Sequence, residues 1–137
     1  MPCIFCQIIS SGVPAAIVFE DQSTLAFLDH RPLFAGHCLL IPKEHIETLN
    51  EIPSPLFERL SANARLLAMA MEEALGAQGA FVAINNRVSQ SVPHLHVHVV
   101  PRTKGDGFKG FFWPRQKYRD ARHLEETRAS LARAMEQ

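Results

Sequence analysis

The sequence predicts a single domain of mixed helix and strand, and three features carry that expectation. Five short runs have the apolar, often branched composition of strands, at residues 17–20, 24–28, 37–42, 80–84 and 94–100. Between the third and fourth lies a run with one apolar stripe at helical spacing. The connection from 85 to 91 is so short that the strands on either side of it should be antiparallel neighbours.

A chain of 137 residues suits one domain with a single sizeable core. Hydrophobic residues make up 47% and charged residues 20%, a globular balance. Lysine plus arginine equal aspartate plus glutamate at 14 each, so no global field favours nucleic acid or an acidic membrane, and an anionic ligand must be held by a local site. No apolar stretch is long enough to span a bilayer. Met1-Pro2-Cys3 does not start a basic region followed by an apolar run, and there are only three cysteines. These features give the expectation of a cytoplasmic chain without a disulfide framework.

Taken in order, Cys3-Ile4-Phe5-Cys6-Gln7-Ile8-Ile9 has an apolar side suited to one or two helical turns, ended by Ser10 to Pro14. Its Cys-x-x-Cys fits half of a metal site, a redox pair or two buried thiols. Residues 17–20 and 24–28 read as a hairpin around Asp21-Gln22-Ser23, and Asp29 at its end is a turn cap or a carboxylate reaching past the sheet. In the strand 37–42, Cys38 reads as a small core residue. His45 follows in a loop or short turn.

Ser54-Pro55 predicts the start of the long helix, with serine as N-cap, and Gly76 its end. Leu56, Leu60, Ala64, Leu67, Met71 and Ala74 form the stripe, Asn63 falls on another face, and Met69 and Met71 read as core filling. Asn85, Gln90 and Ser91 border the last strand, as ordinary turn residues or as donors to phosphate oxygens. The segment 102–118 is rich in glycine and aromatics, with Phe108, Phe111, Phe112 and Trp113 suggesting an interface or a substrate wall. Residues 122–135 read as a charged helix packed loosely on the body or on a second subunit.

The chemistry centres on His94-Leu95-His96-Val97-His98-Val99-Val100. On a strand, alternate side chains share a face, so the three imidazoles line up roughly 7 Å apart while Leu95, Val97 and Val99 enter a core. On a helix they would scatter at steps of about 200°. Imidazole titrates nearest neutrality and serves as base, acid, nucleophile or metal ligand, so this face reads as a chemical site.

The pattern of three histidines alternating with apolar residues resembles the histidine triad (HIT) family of nucleotide hydrolases and transferases. Cys3-Ile4-Phe5-Cys6, Phe19-Glu20-Asp21, Leu25 to Asp29, Gly36 to His45 and Gln90-Ser91-Val92 resemble its further landmarks in the same order. The likeness covers about residues 3–102 of a single domain spanning 1–137, with a C-terminal loop and helix, 103–137, outside the shared core. It departs from the family at Ser89, where glycine is common, in a short glycine-free loop from Asn85 to Gln90, and at His30.

The resemblance implies an α+β fold, an antiparallel sheet of about five strands with one long and one or two short helices, paired as a homodimer. It implies a purine nucleotide substrate, a nucleoside phosphoramidate or dinucleoside polyphosphate, attacked at the α-phosphorus by His96 to give a nucleotidyl-histidine that water cleaves. His98 would bind the α-phosphate with Gln90 and Ser91 as further donors. Asp29 would take the ribose hydroxyls, Phe5, Ile8 and Phe27 would wall the base, and Asn85 would support the ribose or phosphate side. Cys3, Cys6, His45 and His94 would hold one structural Zn²⁺. Two other readings fit the same residues: a nucleotidyl transferase or phosphorylase, and a nucleotide- and zinc-binding regulatory module.

Overall fold

The computed structural model describes residues 2–108 and 115–136. It divides into two compact units, residues 1–106 and 107–137. The first contains a short helix α1 (Ile4–Ile9), strands β1 (Ile17–Glu20), β2 (Thr24–Leu28) and β3 (Cys38–Pro42), the long helix α2 (Ser54–Leu75), and strands β4 (Gly79–Ala83) and β5 (Val97–Arg102). The strands form one antiparallel sheet in the order β1-β2-β3-β5-β4. The second unit carries helix α3 (Ala121–Met135), capped by Asp120 through the His123 N–H. Of the aromatic segment, Phe111, Phe112 and Trp113 lie outside the described residues.

The central strands are buried on both faces, and their alternation sorts side chains between two layers. Ala26, Cys38, Leu40, Leu95, Val97 and Val99 pack with Leu60, Ala64, Leu67 and Met71 of α2. Leu25, Phe27, Leu39 and Ile41 face the other way, onto Phe5 and Ile8 of α1. Pairing of Leu39 with His98 across β3 and β5 puts the histidine face in this second layer.

Four local expectations are corrected. The N-cap of α2 is Pro53, not Ser54; Ser54 is the first helical residue and makes no capping bond, while Pro55 sits in the first turn, where a missing N–H costs nothing. Met69 is 59% exposed and only Met71 fills the core. Asn63, expected off the apolar stripe, is buried. The ladder of the histidine strand begins at Val97, not 94, because the preceding residues bond elsewhere: the Leu95 N–H donates to Ile46 O (2.7 Å). Gly76 ends α2 in the left-handed conformation as expected.

Asn63 ties α2 to the β1–β2 turn. Its amide nitrogen donates to Asp21 Oδ2 and Thr24 Oγ1, both at 2.8 Å. Asp21 Oδ1 also accepts from the N–H groups of Ser23 and Thr24 and from the Thr24 hydroxyl. Burial opposes ionisation of this carboxyl, but the hydrogen bonds outweigh it and hold its pKa at about 2. Asn63→Ala leaves buried Thr24 without that donor and should cost about 1–3 kcal/mol, read as a lower urea midpoint at unchanged slope.

Candidate active site

The site is built where β3 and β5 meet the loops that precede them. Gly36, at φ +102°, allows the sharp entry into β3; a Cβ there would stand 2.5 Å from Leu75 Cδ1. The turn leaves His37 buried, directly before β3.

His37 is bound on both nitrogens. Its Nδ1 accepts from the Leu33 N–H at 3.1 Å, and its Nε2 is 3.0 Å from His98 Nδ1. A backbone N–H only donates, so neutral His37 carries its proton on Nε2 and gives it to His98 Nδ1. His98 is then protonated on Nε2, leaving that N–H as a donor. Asp29 Oδ2 lies 3.6 Å from His37 Nε2, and its Oδ1 accepts from the Arg31 N–H. The carboxylate thus caps its turn and also lies beside the His37 ring.

The same logic fixes the other two imidazoles of the motif. His96 Nδ1 lies 2.8 Å from His94 O, an obligate acceptor, so Nδ1 carries the proton and Nε2 keeps its lone pair. His94 Nε2 donates to Pro42 O at 2.8 Å, which leaves His94 Nδ1 as a ligand atom. Phe5 stands edge-on to both rings, at 5.7 Å from His94 and 5.2 Å from His96, and stacks edge-on to Phe27 at 5.5 Å. Phe5, Ile8 and Phe27 are buried in one cluster, and Phe5 is its member against the histidine rings.

The free ring nitrogen of His94 points into a donor set. Cys3 Sγ, Cys6 Sγ, His45 Nδ1 and His94 Nδ1 lie within 4.8 Å of one another. The measured separations are 3.4 Å (Cys3–His94), 3.7 Å (Cys6–His94) and 3.3 Å (Cys6–His45). Tetrahedral Zn–N and Zn–S bonds of roughly 2.0–2.3 Å put donor atoms roughly 3.3–3.8 Å apart, so the four side chains form a possible metal site. Burial raises the pKa of the Cys6 thiol, with Cys3 adding to it. A cation would reverse that.

The phosphate-side candidates are arranged differently. The Gln90 amide nitrogen donates to Glu47 O at 2.6 Å, and its oxygen accepts from the Arg87 N–H at 3.0 Å. Asn85 and Ser91 are exposed, whereas Asn86 anchors the loop to Leu49 N and Asn50 Oδ1. Arg87 and Ser89 adopt left-handed φ of 70° and 61°, conformations that cost a side chain roughly 1–2 kcal/mol each. His30 is exposed beside Asp29. His37 is the functional candidate that motif reading missed; its signal was a histidine opening a strand that runs beside the triad strand.

Fold and site together define a small α+β protein whose chemistry is that of tautomer-locked imidazoles. The chain matches the HIT domain over residues 10–105 and belongs to that family. It is similar to the crystal structure of a HIT family member from Bacillus subtilis, with a TM-score of 0.88, 35% identity, and coverage of 100% of this chain and 99% of that one. A Zn-bound histidine triad family protein from Mycobacterium smegmatis matches at TM-score 0.77 and 36% identity, over 98% of this chain and 96% of that one. Among relatives of known activity, an adenosine 5'-monophosphoramidase of Schizosaccharomyces pombe is 35% identical over 116 residues, 83% of this chain and 84% of that protein.

Burial lowers the pKa of His98 to about 4, aided by His96 and His37 and opposed by Asp29. Burial also lowers that of His37, against the pull of Asp29. Both start from 6.5 in the unfolded chain, so unfolded molecules bind more protons in the interval below that value. Stability is therefore complete above about pH 6.5 and should fall as pH drops towards 4. Melting temperatures across that range, compared with those of His98→Asn, check this; the variant should show the shallower slope.

Proposed function

We propose that this protein is a nucleotide hydrolase that cleaves at the α-phosphate of nucleoside phosphoramidates or dinucleoside polyphosphates and releases a nucleoside monophosphate. The observation that carries the reading is the pair of opposed tautomers at the site, a lone pair on His96 Nε2 beside an N–H on His98 Nε2. A nucleophile next to a hydrogen-bond donor is what attack on an anionic phosphorus centre requires. The S. pombe relative is named for cleaving the amide of adenosine monophosphoramidate, which supports the same reaction class.

In this mechanism His96 Nε2 bonds to the α-phosphorus as the bond to the leaving group breaks, and the leaving group departs with the bonding pair and takes up a proton from solvent. His98 Nε2–H donates to a non-bridging oxygen, with further donors from Gln90 and the Ser91 hydroxyl. Water then attacks the nucleotidyl-histidine and gives up a proton to solvent, and the bond from phosphorus to Nε2 breaks, returning His96 to its starting tautomer. Asp29 accepts the ribose hydroxyls, Asn85 supports the sugar or phosphate side, and Phe5, Ile8 and Phe27 back the purine. Cys3, Cys6, His45 and His94 would hold one Zn²⁺, which would serve as a structural tie between α1 and the sheet rim. Two thiolates kept reduced fit a cytoplasmic setting. Transfer to phosphate or a sugar phosphate uses the same intermediate and differs only in the acceptor.

The catalytic unit is a homodimer in this proposal. β4 is an edge strand with Val82 49% exposed, and beside it Phe57, Leu60, Ala64 and Ile84 line an apolar cavity of about 270 Å³. An apolar sheet edge of this kind is a template for pairing with a second copy. Val82→Glu should give a monomer at concentrations where the native chain sediments as a dimer.

AMP release from adenosine phosphoramidate and from diadenosine tetraphosphate tests the activity itself. His96→Ala should lose turnover by roughly 10⁴-fold or more while still binding AMP, as loss of a nucleophile does. Near-native activity in that variant would end the mechanism.

A further inference from the structure

The donor set and the central histidine share one peptide group. His94 is fully buried, and each of its polar atoms has a different task. Nδ1 faces the two thiols, Nε2 donates to Pro42 O, and the backbone oxygen receives the His96 Nδ1–H at 2.8 Å. Its ring is gripped edge-on between Phe5 at 5.7 Å and His45 at 4.9 Å. A shift of His94 therefore moves the acceptor that chooses the tautomer of His96.

A second route joins the same groups. Cys3 and Cys6 bracket the first turn of α1, a helix of six residues whose N-cap, Cys3, makes no side-chain capping bond. So short a helix has no stability of its own. Apart from its apolar contacts, it is fastened to the body by sulfur–imidazole contacts of 3.3–3.7 Å, which are weak when the sulfur is a neutral thiol. Phe5 rides on this helix and touches His96 at 5.2 Å. Movement of α1 thus reaches the His96 ring through Phe5 as well as through the His94 carbonyl.

We propose that the Cys3–Cys6–His45–His94 set is a positioning device for His96 as well as a staple for the N-terminus. With all four donors committed to one metal ion, the His94 peptide and the Phe5 ring are fixed together. His96 is then held in the single tautomer that leaves Nε2 free. With the donors uncommitted, His96 exchanges between tautomers and spends part of its time with a proton on the attacking nitrogen. His94 and His45 are positioning residues here. This inference rests on the reading of His96 as the nucleophile, yet its central measurement needs no turnover.

The experiment uses the full chain labelled with ¹⁵N in the imidazole rings, loaded with Zn²⁺ or stripped by a chelator under reducing conditions. Long-range ¹H–¹⁵N correlation spectra read the tautomer of each ring. Loaded protein should show His96 with one protonated and one unprotonated nitrogen at well-separated shifts; stripped protein should show the two averaged. One unchanged tautomer in both preparations overturns the proposal. Cobalt in place of zinc should give the absorption of a tetrahedral thiolate site, lost in Cys3→Ser; no such absorption also overturns it.

The kinetic arm uses His45→Ala, whose exposed ring can be removed with little cost to folding. Its kcat per folded chain should fall roughly 10-fold with KM nearly unchanged, as expected when orientation and not substrate binding is lost. A reduced folded fraction with native kcat per folded chain would make the set a structural staple only and overturn the inference. Full activity of His96→Ala would instead end the nucleophile reading and leave the spectroscopic result standing, so the two failures are distinguishable.

Discussion

A neutral imidazole carries one proton, and whatever binds one of its nitrogens decides the character of the other. The arrangement of this site depends on that constraint. Three backbone groups make the choice: Pro42 O for His94, His94 O for His96, and the Leu33 N–H for His37. The last choice passes through His37 to His98 over a 3.0 Å contact. Four histidines of one kind thereby become a metal-type ligand, a lone-pair nitrogen, a relay and a donor. No side chain needs a charge to hold these roles, and burial keeps His37, His94 and His98 on the neutral side.

Backbone groups can do this only where the backbone is rigid. β3 supplies that rigidity: all five of its residues are buried, and it is paired on one side with β2 and on the other with β5. Helix α2 fills one face of the sheet and α1 part of the other. His37 precedes β3 and Pro42 ends it, so both the relay and the metal-type ligand take their positions from one strand. β5 adds His98, within the ladder, and the bent segment before it carries His94 and His96. Since Leu95 inserts into the α2 layer while its neighbours face α1, the alternation survives even where the ladder has stopped.

Period-two patterning made much of this readable in the chain. The strands and the separation of Leu95, Val97 and Val99 from the three histidines follow from alternation, and the antiparallel pairing of β4 with β5 follows from the short connection between them. The stripe of α2 follows from its own period. Alternation does not reveal residues whose role depends on partners distant in sequence. Asn63 lies off the apolar stripe, and only the β1–β2 turn, which brings Asp21 and Thr24 over it, gives it a role. His37 is a lone histidine until β3 and β5 pair. Met69 is exposed against expectation because methionine is equally at home in a core or on a surface. The Cys3–Cys6–His45–His94 grouping followed from family likeness, because spacing alone does not bring residue 45 to residue 94.

The loop from Asn85 to Ser91 shows how a departure from family pattern can be absorbed. Glycine would take the left-handed conformation without strain, but here Arg87 and Ser89 take it. The compensation is a set of bonds that over-determine the loop: Asn86 to Leu49 and Asn50, and Gln90 to Glu47 and Arg87. Because the Gln90 oxygen receives the Arg87 N–H, its amide cannot flip without losing that bond. Its nitrogen carries two protons, and Glu47 O takes one. The second is oriented by the first. The left-handed conformations of Arg87 and Ser89 are thus held by neighbours whose hydrogen bonds reach residues 47 to 50, which a glycine-containing loop would not require.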